Sequence, residues 1–302
     1  MSRLPSRKLW FLLAPPMATA ALGVLVLQHH GAAASRLALM LGAMVAGVIV
    51  ATAVAARGRG LLERFASVLA VGSLALLATT LFAGGLFGVH RWVGLGPVRF
   101  HASSIACPVL LAAAAVLLSR AHGVWAAVAI AAAQAVHALQ PDAGQSTALA
   151  AGAITGLALW PAPPVVRAGC IGAVAVSIVP AWTRFDPLPS VPEVEGILGL
   201  AADLGRPVQV LAVLLLALIP TSLAIAARSI PVAPTGTWEP RRDGVVARAT
   251  CAALAAYVAG TILVSMLGNF PVPVLGFGIS PVLGVGLCVG LSAAFQAPTT
   301  PR

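Results

Sequence analysis

Long apolar runs, separated by short polar connections, follow one another along the whole chain of 302 residues. Hydrophobic residues make up 60% of the chain and charged residues only 9%, whereas about 25% of the residues of ordinary soluble proteins are charged. An α-helix crosses the hydrocarbon core of a bilayer with about 20 apolar residues. We therefore predict an all-α polytopic membrane protein in which residues 1–302 form a single transmembrane domain. About ten transmembrane helices are expected, near residues 10–28, 37–56, 66–87, 102–119, 123–139, 145–160, 166–182, 207–228, 247–268 and 272–295.

The basic residues are concentrated in alternate connections, and this asymmetry predicts the orientation of the helices. Thirteen of the 18 Lys and Arg residues fall on the side that holds both chain termini, and five fall on the other side. Cytoplasmic loops of membrane proteins carry the excess of Lys and Arg. We expect cytoplasmic termini, an inner linker at 229–246 and a long outer loop at 183–206. The net charge of +10 follows from this topology, and no basic stripe indicates binding to nucleic acid.

The four cysteines lie inside apolar runs and lack the paired short spacing of a zinc site or a redox motif: Cys107, Cys170, Cys251 and Cys288. We interpret them as small buried hydrophobic residues. No spacing of His, Cys and carboxylate residues indicates a metal site, and no cofactor is expected. Gln134 and His137 lie inside a predicted span, where a polar group favours either a cavity or a hydrogen bond between helices.

An outer connection rich in glycine precedes the fourth span and reads GVHRWVGLGPVRFHASS. Arg91 beside Trp92 can act as an anchor at the membrane interface. Alternatively, Arg91 and Arg99 can bind an anion, because a guanidinium offers a planar, permanently charged fork that suits phosphate. Such a site would fit a lipid-linked pyrophosphate that approaches from the outer leaflet.

Three further outer segments contain polar residues of interest. The segment LQPDAGQ at 139–145 has the form of a turn followed by a helix N-cap at Asp142. A glycine-rich helix entry, PVLGFGISPVL, precedes the last span. The outer loop at 183–206 contains LPSVPEVEGILGLAADLG, in which Glu193 and Glu195 are either acids that solvate the loop or candidate catalytic groups.

In their order along the chain, these four segments resemble motifs of the SEDS family, the shape, elongation, division and sporulation proteins of the FtsW and RodA type. The matching motifs are similar to the family's R-W-I-x-L-G…Q-P-S-E-x-x-K, L-Q-P-D-x-G-T and P-F-x-S-Y-G-G-S. The matches that the resemblance implies to be substrate-binding are Arg91, Trp92, Ser103, Gln140, Asp142 and Ser280, together with Arg99. The first motif departs from the family in its second half, where His101, Ala102, Ser104 and Cys107 replace Gln, Pro, Glu and Lys.

The fourth motif of the family, L-P-E-x-H-T-D-F…E-E-L-G, contains the proposed catalytic aspartate. Val194 stands at that position in this sequence, and Glu193 and Glu195 flank it. Glycosyl transfer needs a carboxylate to accept the proton of the attacking hydroxyl and cations to stabilise the departing pyrophosphate. The resemblance therefore implies Glu193 or Glu195 as the candidate catalytic residue, with Arg91 and Arg99 at the pyrophosphate.

The resemblance implies a multi-pass protein of the bacterial cytoplasmic membrane that takes part in peptidoglycan assembly. If active, it would be a glycosyltransferase that polymerises lipid II in cell division or elongation, together with a class B penicillin-binding protein. An outer cavity between Arg91, Asp142 and the 183–206 loop is then expected.

Two alternatives remain at this point. One is a non-catalytic SEDS relative that binds a partner or a polyprenyl lipid. The other is a lipid or solute transporter, which the scarcity of charges inside the spans and the lack of paired broken spans disfavour.

Overall fold

The computed structural model describes residues 7–96, 98–232 and 238–296. Both chain termini, which are predicted to be cytoplasmic, and residues 233–237 of the inner linker lie outside the described residues. The helices are α1 (Arg7–His29), α2 (Ala34–Phe82), α3 (Ala102–Ser119), α4 (Gly123–Leu139), α5 (Ala143–Ala158), α6 (Pro164–Val176), α7 (Val179–Trp182), α8 (Ile197–Asp203), α9 (Arg206–Arg228), α10 (Trp238–Val264) and α11 (Ile279–Gln296). Between α2 and α3, β1 (Trp92–Leu95) and β2 (Val98–His101) pair as an antiparallel ribbon in which Trp92 lies opposite His101.

The all-α polytopic fold predicted from the apolar runs is confirmed. Seven of the helices formed by the described residues are long and apolar enough to cross a membrane, and α4 is a shorter apolar helix. The predicted spans 102–119 and 123–139 coincide with α3 and α4. These seven candidate spans become about ten passes when α2 is counted as two spans and α4 and α5 are added.

The 49-residue α2 contains both the second and the third predicted span. A single non-helical residue inside it, Phe65, marks a kink at which two helices meet. The start of α2 contacts Gly278, and its end contacts Gln140. Gly278 and Gln140 lie on the same side of the molecule. Ser280 and Asp142, which follow them by two positions, both contact His101. The chain therefore reverses direction within α2, without a loop between the two spans.

The last helix begins later than the sequence predicts. The predicted span starts at residue 272, whereas α11 starts at Ile279. Pro271 and Pro273 have no backbone N–H to donate, and the residue before a proline avoids helical geometry. Residues 271–278 therefore form an irregular segment that leads into α11.

Close helix packing through small residues holds the bundle together. A Cβ atom on Gly286 of α11 would lie 2.7 Å from the backbone oxygen of Gly47 in α2, and one on Gly290 would lie 2.7 Å from the oxygen of Ala51. Such short distances require that the backbones of α2 and α11 almost touch, which is the usual packing of helices in lipid.

Three of the four cysteines, Cys107, Cys251 and Cys288, are buried among the helices as expected. Cys170 is exposed, which corrects its interpretation as a buried residue. It lies on α6, which has no buried residue and packs mainly against α5. An apolar helix at the edge of the bundle exposes its side chains to lipid rather than to other helices.

The outer loop at 183–206 folds back onto the helices. The backbone N–H of Val272 donates to the oxygen of Val194 at 3.2 Å, and that of Phe277 donates to the oxygen of Glu193 at 2.7 Å. Ile197 of the short helix α8 is fully buried. These bonds fix the backbone around Val194 against the irregular segment before α11.

Candidate functional site

A cavity of about 480 Å³ lies where the β ribbon, the first turns of α3 and α5, the outer loop and the segment before α11 meet. We call it the outer cavity. Most of its lining is apolar, including Val194, Phe270 and Phe277. Its polar lining residues are Arg91, Trp92, Arg99, His101, Ser104, Asp142, Gln145, Glu195, Tyr257, Thr261, Asn269 and Ser280. Mostly apolar walls with a few convergent polar groups are typical of a site for an amphipathic ligand.

Arg91, which precedes β1, is buried between two carboxylates. Its Nη2 donates to Oδ2 of Asp186 at 2.6 Å and also to the backbone oxygen of Pro141, and its Nε lies 4.0 Å from Oδ2 of Asp142. Arg91 and Asp142 are only 4% and 2% exposed. The charge of Arg91 is therefore balanced inside the protein, which differs from the free anion clamp that the sequence suggests.

Asp142 combines the two interpretations that its sequence motif leaves open. As the N-cap of α5, its Oδ1 accepts from the backbone N–H of Gln145 at 3.1 Å, and its Oδ2 lies 3.2 Å from Nε2 of His101. Burial raises the pKa of Asp142, but the Arg91 guanidinium and His101 more than offset this effect and hold the pKa below its usual range. Asp142 is therefore ionised, and it serves both as a helix cap and as part of the cavity.

His101, at the end of β2, joins three parts of the site. Its backbone N–H donates to Oγ of Ser280 at 2.8 Å. When its Nε2 donates to Asp142, its Nδ1 accepts from Oγ of Ser104 at 3.2 Å. The ring also packs edge to face against Trp92, with 6.0 Å between the ring centres. His101 replaces a family glutamine, and its polar side chain directly before a span is the sequence signal for its role.

The two candidate catalytic glutamates point in different directions. Glu195 lines the outer cavity, and its Oε2 accepts from the backbone N–H of Val191 at 2.7 Å. Burial raises the pKa of Glu195 above its ordinary value. Glu193 does not line the cavity, and its Oε1 accepts from Nη1 of Arg36 at 3.0 Å. Only Glu195 of this pair is therefore placed to meet a ligand in the cavity.

Ser103 and Gln140 do not line the outer cavity, although both match family motifs. Ser103 is buried, and its Oγ lies 3.1 Å from Nε2 of His137 in α4. Gln140 is buried too, and its Nε2 donates to the backbone oxygen of Leu77 at 3.2 Å. Both residues connect helices, and their predicted contact with substrate stays a prediction.

Gln134, which lies with His137 inside one predicted span, also forms hydrogen bonds to a neighbouring helix. Its Nε2 donates to the backbone oxygen of Ser146 at 3.0 Å, and its Oε1 accepts from Oγ of the same residue at 2.7 Å. The hydrogen-bond interpretation of Gln134 therefore holds in this structure.

Arg99 and Trp92 line the cavity as expected, and Arg99 is exposed. In the described part of the chain, no hydrogen bond or ion pair involves the Arg99 side chain. Arg99 is thus a cation available to a ligand. Among the described residues, no group of three or more His, Cys, Asp and Glu residues could hold a metal ion.

Two residues of the site have no clear signal in the sequence: Asp186, which pairs with Arg91, and Tyr257, which lines the cavity. Asp186 pairs with Arg91 across 95 positions of sequence and has no motif of its own. Tyr257, the single tyrosine of the chain, is buried inside α10 and donates to Oε1 of Gln145 at 2.7 Å. A lone tyrosine in an apolar span is a usable signal, because a buried hydroxyl needs a partner.

No family model matches the sequence, and no curated protein is significantly similar to it. Solved structures do match its fold. The rod shape determining protein RodA of Thermus thermophilus superposes with a TM-score of 0.73 and 21% sequence identity, over 96% of either chain.

A mutant of the same RodA gives a TM-score of 0.72 at 21% identity, over 96% of this chain and 97% of that one. A chain from a peptidoglycan synthase complex, described as coordinating polymerization and crosslinking, gives 0.74 at 20% identity, over 95% and 97% of the two chains. The helices are thus arranged as a RodA-like bundle. The chain has the fold of RodA, which is the fold that its resemblance to the SEDS family predicts.

Proposed function

We propose that this protein acts in cell-wall assembly in the bacterial cytoplasmic membrane, as a SEDS glycosyltransferase that polymerises lipid II. The observation that carries the proposal is the position of Glu195, which lines the same outer cavity as Arg91, Arg99 and Asp142. In this chain, Glu195 replaces the neighbouring aspartate of the family as the carboxylate that faces substrate.

The lining of the cavity suits a polyprenyl-linked glycan. Apolar residues such as Phe270, Phe277 and Val258 offer a surface for the lipid part. Arg99 is exposed at the same cavity, and in the described part of the chain its side chain has no partner. We assign the contact with the pyrophosphate to Arg99 rather than to Arg91, because Asp142 and Asp186 already balance the charge of Arg91.

The proposed reaction divides between two groups of this chain. A sugar hydroxyl attacks the anomeric carbon of the second glycan, a new C–O bond forms, and the bond to the pyrophosphate breaks. Glu195 accepts the proton of the attacking hydroxyl, and its raised pKa makes it a stronger base than an exposed glutamate. Arg99 stabilises the negative charge that develops on the departing pyrophosphate.

A class B penicillin-binding protein is the proposed partner. The support is the structural match to a chain of a peptidoglycan synthase complex that coordinates polymerization and crosslinking. Glycan strands released from the outer cavity would then pass to the crosslinking subunit.

Glu195→Gln and Glu193→Gln form a matched pair for testing the base. In a polymerisation assay with purified lipid II and the partner present, Glu195→Gln should lower the rate by about 10²–10⁴-fold. Glu193→Gln should keep most of the activity, because Glu193 pairs with Arg36 away from the cavity. Equal activity in both variants would remove Glu195 from the mechanism.

The pH dependence of the reaction gives a second readout. A base works when ionised, so the rate should rise with pH through the pKa of Glu195, which lies above the ordinary glutamate value. The Glu195→Gln variant should lose this rise, whereas Glu193→Gln should retain it.

A non-catalytic SEDS relative is the second candidate, and Val194 is the observation that favours it. Val194 stands where the family has its aspartate, and it lines the cavity. Binding of lipid II by the unmodified protein, without any polymer in the presence of the partner, would establish this alternative.

A further inference from the structure

A second cavity of about 480 Å³ lies at the opposite end of the helices from the outer cavity. It is formed by the ends of α5 and α9 and by residues 248–259 of α10, and we call it the inner groove. The inner groove is separate from the proposed glycosyl-transfer site, because none of the residues that the structure describes lines both cavities.

Small residues of α10 form the floor of the inner groove. Ala252, Ala256 and Ala259 line it at spacings of four and three residues, which places them on one face of the helix. Leu159, the C-cap of α5, and Pro220 of α9 form part of its walls. At a rise of about 1.5 Å per residue, the groove runs roughly 16 Å along α10 from Arg248 to Ala259, close to half of a hydrocarbon core of about 30 Å. Its length therefore matches one leaflet.

Two arginines line the same end of the inner groove. Arg228 lies in the last turn of α9 and Arg248 lies on α10. Within the described ranges, neither side chain has a hydrogen bond or an ion pair, and no acidic residue lines the groove. Arg59, in contrast, pairs with Glu63 and Asp243. Two unpaired guanidinium groups beside an apolar groove offer a site for a phosphate.

We propose that the inner groove binds an anionic phospholipid of the cytoplasmic leaflet. Arg228 and Arg248 hold the phosphate, and one acyl chain lies along the alanine floor. Basic pockets between membrane helices on the cytoplasmic side bind anionic head groups in this way. The transmembrane helix of a partner fits less well, because cytoplasmic ends of such helices carry Lys and Arg themselves. Those charges would be repelled by Arg228 and Arg248.

Native mass spectrometry of the purified full chain with added phosphatidylglycerol tests the site. The double variant Arg228→Gln/Arg248→Gln should lower the fraction of protein with tightly bound phosphatidylglycerol by about an order of magnitude. Arg167→Gln is the matched control, because Arg167 lies at the start of α6 outside the groove. It should leave binding unchanged. Phosphatidylcholine should bind all three proteins equally weakly.

A second variant tests the acyl-chain part of the groove without changing its charge. Ala256→Leu places a larger side chain on the floor and should also reduce binding of phosphatidylglycerol. The thermal unfolding midpoint of each variant in detergent shows whether it is folded, and single arginine variants replace the double one if it is not. Equal retention of phosphatidylglycerol by the unmodified protein and the arginine variants would overturn the proposal. It would also be overturned if the arginine variants lost binding to the transmembrane helix of a partner but still bound phosphatidylglycerol.

Discussion

Arg91 and Asp142 are both buried at the outer cavity, and each offsets the loss of hydration of the other. Asp186 adds a second carboxylate on Arg91, and His101 adds a donor on Asp142. Removing one member of a buried ion pair is far more harmful than removing an exposed charge, because the remaining charge is left without a partner. Arg91 is therefore expected to hold the site together, whereas Arg99 is available to a ligand.

Arg91→Ala should lower the free energy of unfolding by about 3–5 kcal/mol, because it leaves Asp142 buried without its guanidinium. Arg99→Ala, in β2 of the adjoining ribbon, is the matched control, and its exposed side chain should contribute less than about 0.5 kcal/mol. Thermal or detergent-induced unfolding of the purified variants measures the difference. Equal stability of the two variants would mean that Arg91 is not the structural partner of Asp142.

Among the helices, the contact of α2 with α11 depends on residues without side chains. Gly286 and Gly290 of α11 allow backbone atoms of α2 to approach within the space that a Cβ would occupy. Because α11 also carries Ser280, which accepts from the backbone of His101, the seating of this helix against α2 positions one wall of the outer cavity.

Gly286→Ala should destabilise the protein by about 1–3 kcal/mol, since the added methyl group would meet the backbone oxygen of Gly47 at 2.7 Å. Gly42→Ala in α2 is the control, because no atom lies within 4 Å of a Cβ at that position. It should be neutral or slightly stabilising, as alanine favours helix. The thermal unfolding midpoints in detergent decide this prediction, and a neutral Gly286→Ala would show that α2 and α11 are farther apart than described.

For the whole molecule, the distribution of charge predicts the orientation in the membrane. The outer cavity and the inner groove lie at opposite ends of the helices, with the acidic 183–206 loop at one end and most of the basic residues at the other. If the orientation is as predicted, the outer cavity faces the side where the cell wall is assembled.

Cysteine labelling in intact cells tests this orientation. A cysteine at Ser190, which is exposed on the outer loop, should react with a membrane-impermeant reagent. Two other cysteines should not react: one at Gly60, which is exposed in α2 five residues before its kink at Phe65, and one at Thr237, which lies outside the described residues. The exposed Cys170 is first changed to Ser, because it could react itself. The reverse labelling pattern would invert the topology.

The sequence by itself determines the apolar spans and the N-cap at Asp142. Apolar runs predict α3 and α4 at their observed bounds, because the length of a membrane span and the position of a charged connection are local properties. The turn at residues 139–145 is local in the same sense, since Asp142 caps a helix that begins at the next residue. The resemblance of four short motifs to one family was sufficient to predict the overall fold.

Only the tertiary structure decided which polar side chains meet. Asp186 reaches Arg91 from a loop with no motif, and Glu195 rather than Glu193 lines the cavity because backbone bonds at residues 193 and 194 fix how the loop lies. Ser103 and Gln140 match family motifs but are buried beneath the cavity. A local pattern sets a residue's type and its helix, whereas the partner of a buried polar group depends on how distant segments pack, because the group must be satisfied by whatever lies beside it.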